Sequence, residues 1–313
     1  MPDFQQLLNR TSRTFGLAIP LLKDPLRHEM TLTYLLFRVA DTLEDAERMT
    51  MEARQEALRE FGGLLCTLDL RRAQSLANDW GRQQPVEHAG YLDLLSQLPV
   101  LLRAIGQLDP QVCDILCNHA SRTVDGMIAF LARCDCHGYL ELSTRSDLQQ
   151  YCYTVAGIVG ELITELFLAR TDRLRPAAAE LRRRASSFGE GLQLVNILKD
   201  AHEDAENGRC YLPTELSVEQ VFKLARADLD EAVRYVAALQ RMKVSAGIIQ
   251  FTELPILLAR RTLDLLEREG PAVKLSRAEV ASVMTEVVER SADGYETPDC
   301  IRQFVHAHSN ESP

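Results

Sequence analysis

Several common features are missing from this sequence, and each absence closes a class of protein. Proline and glycine are sparse, at 12 and 16 of 313 residues, and no stretch reads as collagen, a repeat array or a disordered tract. There is no block of lysine and arginine. The short run Arg182-Arg183-Arg184 reads as a solvated helix face, and the formal net charge is -10. Nucleic acid is therefore not an expected partner, because phosphate binding needs a basic footprint. None of the eight cysteines forms a C-x-x-C pair. Cys134-Asp135-Cys136-His137 is the nearest thing to a metal cluster, but no second pair completes a zinc site. Reduced thiols, and hence a cytoplasmic location, are the expectation. The N-terminus lacks a basic segment followed by an apolar one, so no signal peptide is read. No run of 18 apolar residues occurs, and no transmembrane segment is expected. A greasy substrate would still bring such a protein into peripheral contact with a membrane.

What is present is helical periodicity. Leu32, Leu35, Leu36, Val39 and Leu43 follow steps of three and four, as do Leu58, Phe61, Leu65 and Leu68, and Leu254, Leu257, Leu258, Leu265 and Leu266. Strand-like alternation bounded by hairpin turns is absent. Breaks at Pro20 to Pro25, Gly81 to Pro85, Asp109-Pro110, Gly138, Arg175-Pro176, Asn207-Gly208 and Gly270-Pro271 divide the chain into about nine or ten helices. Asp109-Pro110 reads as a helix cap with proline at the first helical position. Ser276 with Glu279 reads as a capping box. No linker is evident, so the expectation is an all-α fold in a single domain over 1–313, with its core at about 10–290 and a tail at about 294–313.

Two short acidic motifs carry the chemistry. One is Asp41-Thr42-Leu43-Glu44-Asp45, the other Asp200-Ala201-His202-Glu203-Asp204. Each sets two aspartates four residues apart, ~40° apart on one helical face. The face continues backward through Arg38 and Tyr34 in the first helix, and through Asn196 and Gln193 in the second. The other faces are apolar, so each helix is largely buried and its polar stripe lines an interior cavity. Paired carboxylates are costly to bury without a cation. Clustered hard oxygen ligands suit Mg²⁺, with Mn²⁺ as a substitute, bridged to a substrate diphosphate. The bland alternative is that each D-x-x-x-D is a solvated stripe and that Gln193 and Asn196 are polar spots on a packing seam. A di-iron bundle would need Glu-x-x-His pairs, and none occurs. Gly189-Glu190-Gly191 does not extend to G-x-G-x-x-G, and no phosphate-binding G-x-x-x-x-G-K-[ST] exists.

At these residues the sequence resembles the squalene/phytoene synthase family, over roughly residues 10–290, and within it the squalene synthase branch. Ser12-Arg13-Thr14-Phe15 is similar to the family's opening S-R-x-F. The stretch from Tyr34 to Asp45 resembles its first aspartate-rich helix, in the D-T-x-E-D form of the squalene branch. Gly126-Met127-Ile128-Ala129-Phe130 resembles G-M-x-x-F, and Tyr151 to Gly160 matches Y-C-x-x-V-A-G-x-V-G. Gln193 to Asp200, running on through Asp204 to Gly208-Arg209 and Leu212-Pro213, resembles the second aspartate-rich helix and its exit. Phe251 to Pro255, Ala259, Thr262-Leu263 and Val273 to Arg277 resemble a C-terminal stretch of the squalene branch.

The resemblance implies an isoprenoid synthase helical bundle with a central cavity and a set of roles. Asp41, Asp45, Asp200 and Asp204 would hold Mg²⁺, with Glu44 and Asn196 as further metal ligands. Ser12, Arg13, Arg38 and Arg209, with Gln193 and Asn196, would bind diphosphate. Tyr151 would act as acid/base or cation stabiliser, and Gly157 and Gly160 would let helices approach closely. Lys274 and Arg277 are the candidates for NADPH phosphates. The family usually carries arginine where Lys199 stands, and lysine lacks the bidentate fork. The implied reaction joins two farnesyl diphosphates head to head as presqualene diphosphate, then reduces this with NADPH to squalene. A synthase stopping at presqualene diphosphate, or making dehydrosqualene or phytoene, remains an alternative, as does a non-catalytic isoprenoid-binding protein. Members of the squalene branch in eukaryotes carry a C-terminal membrane anchor, and none is read here, so a soluble protein is expected.

Overall fold

Most of the chain has no alternative to helix. Its apolar residues recur every three or four positions, and only helices bury such a stripe. A computed structural model describes residues 3–12, 14–271, 273–290 and 297–308. Its helices are α1 (Phe4–Thr11), α2 (Thr14–Ala18), α3 (Leu26–Glu44), α4 (Met51–Thr67), α5 (Leu70–Gln83), α6 (Ala89–Ser96), α7 (Leu98–Gly106), α8 (Pro110–Leu131), α9 (Arg145–Cys152), α10 (Ile158–Arg170), α11 (Ala178–Glu206), α12 (Val218–Arg241), α13 (Ala246–Glu269), α14 (Arg277–Arg290) and α15 (Asp299–His308). The all-α expectation holds. The only strands among the described residues are β1 (Leu140–Glu141) and β2 (Arg209–Cys210), which pair in parallel.

There are more helices than the nine or ten expected, because several boundaries carry no glycine or proline. Between α4 and α5, Leu68 itself takes a left-handed conformation (φ 49°) and Asp69 caps the next helix. Gln84 and Lys243 adopt the same backbone at φ 46° and 50°. Where local punctuation was legible it is present. Asp109 accepts from the Gln111 N–H at 3.0 Å, with Pro110 opening α8. Ser276 and Glu279 exchange bonds of 2.7 and 3.2 Å. Pro255 sits inside α13, which continues through it.

The chain forms two compact units, Met1–Gly16 with Pro25–Gly138, and Leu17–Asp24 with Tyr139–Pro313. In the first, α3 packs on α4 and α8, and α1 packs on α3 and α6. Leu32, Leu35, Leu36, Leu58, Phe61 and Val124 are fully buried there, each worth about 1.5–3 kcal/mol against exposure. In the second unit α11 is the axis, packed by α10, α12 and α13. Its core stacks Phe188 on Tyr235 and sets Phe167 edge-on to Phe251, both pairs at 6.1 Å. The Tyr235 hydroxyl is satisfied by Thr164 at 3.0 Å.

Between α9 and α10 the helix loosens into a π turn over Tyr153–Gly157, so helical backbone runs from Arg145 to Arg170. By length and composition that stretch could cross a membrane, but 56% of its most apolar window is buried in the protein, as in a core helix.

Candidate active site

In the first unit α3 places the acidic motif. Its apolar faces are fully buried at Leu32, Leu35, Leu36, Val39 and Leu43. Tyr34, Arg38 and Asp41 form a half-exposed stripe, and Asp45 at its end is exposed. The stripe is bonded along its length. The Tyr34 hydroxyl donates to the Thr11 carbonyl at 2.7 Å, and the Arg38 guanidinium donates to that hydroxyl at 3.0 and 3.2 Å. Arg38 also meets Asp41 at 3.3 Å and lies over the rings of Tyr34 and Tyr91, at 5.3 and 5.8 Å. Burial works against the Arg38 charge, but Asp41 and the two tyrosines more than offset it. Asp41 is pushed up to about 6 by burial, and by Asp45, despite Arg38.

Ser12 sits at the C-cap of α1, where its hydroxyl accepts from the Gly16 N–H at 2.9 Å. Arg13 lies outside the described residues. Glu44 is 8% exposed, off the stripe, and its carbonyl receives Arg54 at 3.4 Å. Tyr91 was not singled out from sequence. It belongs to α6, with no motif around it, and only the folded contact gives it a place beside Arg38.

In the second unit the stripe runs along α11 as Gln193, Asn196, Asp200 and Asp204, with Leu194, Val195, Ile197 and Leu198 buried behind it. Lys199 lies across it, 3.1 Å from Asp200 and 3.3 Å from the Asn196 side-chain oxygen. A cation thus already lies between two of the expected ligands. The helix itself is fixed by glycine. A Cβ on Gly160 would stand 2.0 Å from the Ala185 carbonyl oxygen, and one on Gly189 would stand 1.9 Å from that of Ala156. The backbone of α11 touches that of α10 at Gly160, as expected, and that of the π turn before α10 at Gly189. In the sequence Gly189 reads only as part of an incomplete nucleotide loop. Gly157 lies against Glu190, with Oε1 2.9 Å from its missing Cβ. Glu190 is raised to about 7 by burial and by Asp228, and Asp228 to about 6, again chiefly by burial.

After α11, Arg209 lies in β2, and Tyr211 follows with its ring stacked on Tyr151 at 4.5 Å. Lys274 and Arg277 are exposed at the start of α14, where Arg277 lies 3.5 Å from His308.

Both carboxylate pairs share an unfavourable position. Asp45 is the C-cap of α3 with Asp41 one turn before it, and Asp200 and Asp204 lie near the end of α11. Neither last turn holds a basic residue. The carbonyl end of a helix repels anions, by about 0.3–1 kcal/mol per charge, so both sites favour an added cation. Among the described residues no three His, Cys, Asp or Glu form a ready-made cage.

The chain as a whole is similar to known proteins. The squalene/phytoene synthase family profile matches residues 8–222. Squalene synthase ERG9 of Candida albicans is 30% identical over 211 residues, covering 67% of this chain and 45% of that protein. Human squalene synthase is 30% identical over 217 residues, covering 69% and 47%. The match thus spans about half the length of these curated relatives. In fold, the chain is similar to TcSQS solved with the ligand BPH1237, at TM-score 0.71 and 23% identity over 97% of this chain and 94% of that one.

Proposed function

For this chain, which belongs to the squalene/phytoene synthase family, we propose the reaction of a divalent-metal-dependent prenyl transferase. Two farnesyl diphosphates are joined head to head as presqualene diphosphate, which is then reduced with NADPH to squalene. The observation that carries this reading is the pair of carboxylate stripes, each near the carbonyl end of its helix and each already in contact with a cationic side chain. Relatives bearing the name squalene synthase support the choice of branch.

Asp41 and Asp45 would hold metal on one stripe, Asp200 and Asp204 on the other, with Asn196 as a further candidate; Glu44, buried off the stripe, is not among them. Bound Mg²⁺ would supply positive charge to the departing pyrophosphate. Arg38 is pre-oriented by Tyr34 and Tyr91, so its planar fork can receive a phosphate oxygen with little loss of side-chain freedom. Arg209, Ser12 and Arg13 are proposed to add donors. Lys199 is proposed to neutralise Asp200 when metal is absent. Tyr151, buried and polar at its tip, is the proposed phenol that faces the reacting carbons. NADPH would supply the hydride, with Lys274 and Arg277 proposed at its phosphates.

The deciding experiment is incubation with farnesyl diphosphate and Mg²⁺, with and without NADPH, followed by mass analysis of the products. Squalene formed only with NADPH is expected. An identical hydrocarbon in both reactions removes the reductive step and favours dehydrosqualene or phytoene chemistry. No pyrophosphate release in either removes the enzyme reading.

A further inference from the structure

Tyr151 does not stand alone. Its hydroxyl donates to that of Tyr211 at 3.0 Å, and the two rings stack at 4.5 Å with 26° between planes. Both residues are buried, 5% and 7% exposed. Packing alone does not require this. Phenylalanine at 211 would stack as well, and a buried hydroxyl is costly unless it finds a partner.

The contact is also held from outside. The Leu140 N–H donates to the Gly208 carbonyl and the Leu142 N–H to that of Cys210, both at 2.9 Å. The Arg145 N–H, at the start of α9, donates to the Glu215 carboxylate at 2.9 Å. Gly208, at φ +75°, lets the Tyr139 ring close to within 3.0 Å of where a Cβ would be. These ties join the segment leaving α11 to the segment entering α9, from either side of Tyr211. Its hydroxyl is therefore set against Tyr151 by main-chain geometry.

We propose that Tyr211 is a positioning residue for Tyr151, fixing the direction of its O–H and bonding to its oxygen in either protonation state. This rests on the reading of Tyr151 as the reacting phenol. With its proton aimed at Tyr211, the Tyr151 oxygen presents electron density rather than a proton to a cationic carbon. For its proton to pass to a pyrophosphate oxygen, the Tyr151 O–H first turns away from Tyr211, and the bonding electron pair then stays on Tyr151. Tyr211 then turns its own O–H to donate to that phenolate, and a hydrogen bond to an ionised acceptor is about twice as strong as a neutral one. Tyr211 changes no covalent bond of its own.

The test compares Tyr211→Phe, which keeps the stack, with Tyr151→Phe and the double variant, using farnesyl diphosphate and Mg²⁺. Tyr211→Phe is expected to fold, to keep KM within about threefold and to lower kcat on the order of tenfold, with the alkaline side of its pH profile displaced. In the Tyr151→Phe background the same change is expected to cost nothing more, the non-additivity of two groups acting as one. Ultraviolet titration gives a readout that needs no turnover. With Tyr151→Phe as the reference, the ionisation midpoint of Tyr151 is expected to rise by about one pH unit in Tyr211→Phe. If Tyr151→Phe is crippled while Tyr211→Phe matches wild type in kcat, pH profile and titration, the inference is overturned and the reading of Tyr151 survives. If Tyr151→Phe itself is fully active, both fall.

Discussion

The two carboxylate stripes carry similar groups on different constructions. On α3 the stripe is organised by side chains. Tyr34 ties Arg38 to the end of α1, Tyr91 covers it, and Arg38 in turn meets Asp41. On α11 the organisation is in the backbone, where glycines at 160 and 189 let two helices touch and so fix the helix that carries Asp200 and Asp204. A site built from side chains loses function when one is changed. A site built on bare backbone loses the fold first.

That difference is sharpest in the glycines. Gly160→Ala or Gly189→Ala forces a methyl into a carbonyl oxygen and is expected to destabilise the second unit by about 3 kcal/mol or more. Gly63→Ala in α4, with nothing within 4 Å of the added methyl, is expected to stabilise by about 0.5–1 kcal/mol. Chemical denaturation of the three variants checks the contrast, which breaks if Gly189→Ala is as stable as the parent.

Next in size is the charge at each stripe. Asp41→Asn and Asp200→Asn are each expected to lower kcat at least ~10²-fold, the cost of several kcal/mol of metal-borne stabilisation, with folding retained. An Asp200→Asn variant of full activity would leave the first stripe working alone.

The two units also answer differently to pH. Asp41 is raised to about 6, so below that pH it takes a proton, and in its proposed role it would then no longer hold metal. An acid limb of activity near pH 6 is expected at low Mg²⁺, moving to lower pH as Mg²⁺ is raised, because metal competes with the proton. In the second unit the raised group is off the stripe. Glu190 is lifted from 4.5 to about 7, so the folded state binds more protons between those values and stability falls as pH rises through them. Glu190→Gln is therefore expected to stabilise at pH 8 by about 1–2 kcal/mol after allowance for solvent screening, and not at pH 4. Melting temperatures at the two pH values check it.

The smallest effects concern the neighbouring groups. Tyr91→Leu removes a ring from Arg38 and is expected to cost about 0.5–1 kcal/mol of stability. Lys199→Ala, which exposes Asp200 to its own repulsions, is expected to cost no more, read as a steeper Mg²⁺ dependence of the melting temperature.

Much of this was legible from sequence because it is local. The three-and-four spacing gave the helices, Ser276 with Glu279 and Asp109 with Pro110 gave two helix starts, and the spacing of aspartates gave both stripes. What stayed hidden depends on partners distant in the chain. Leu68 ends a helix in a conformation usually left to glycine, and nothing near it announces this. Tyr91 and Tyr211 matter only through Arg38 and Tyr151, 53 and 60 residues away by number. Gly189 looked like a fragment of a phosphate loop because the clash it avoids lies on another helix. The π turn at Tyr153–Gly157 is a one-residue change of hydrogen-bond register, which side-chain periodicity cannot show.

The crossing of α10 and α11 limits how far this protein can be redesigned. Where two helices meet through leucines, a lost methyl on one can be made up on the other, and variation drifts. At residues 160 and 189 nothing can be trimmed in exchange, since the contact is already down to a hydrogen atom. In a saturation library these two positions will stand out as single-letter columns in a tolerant stretch. Any version adapted to longer or shorter substrates will have to leave them alone.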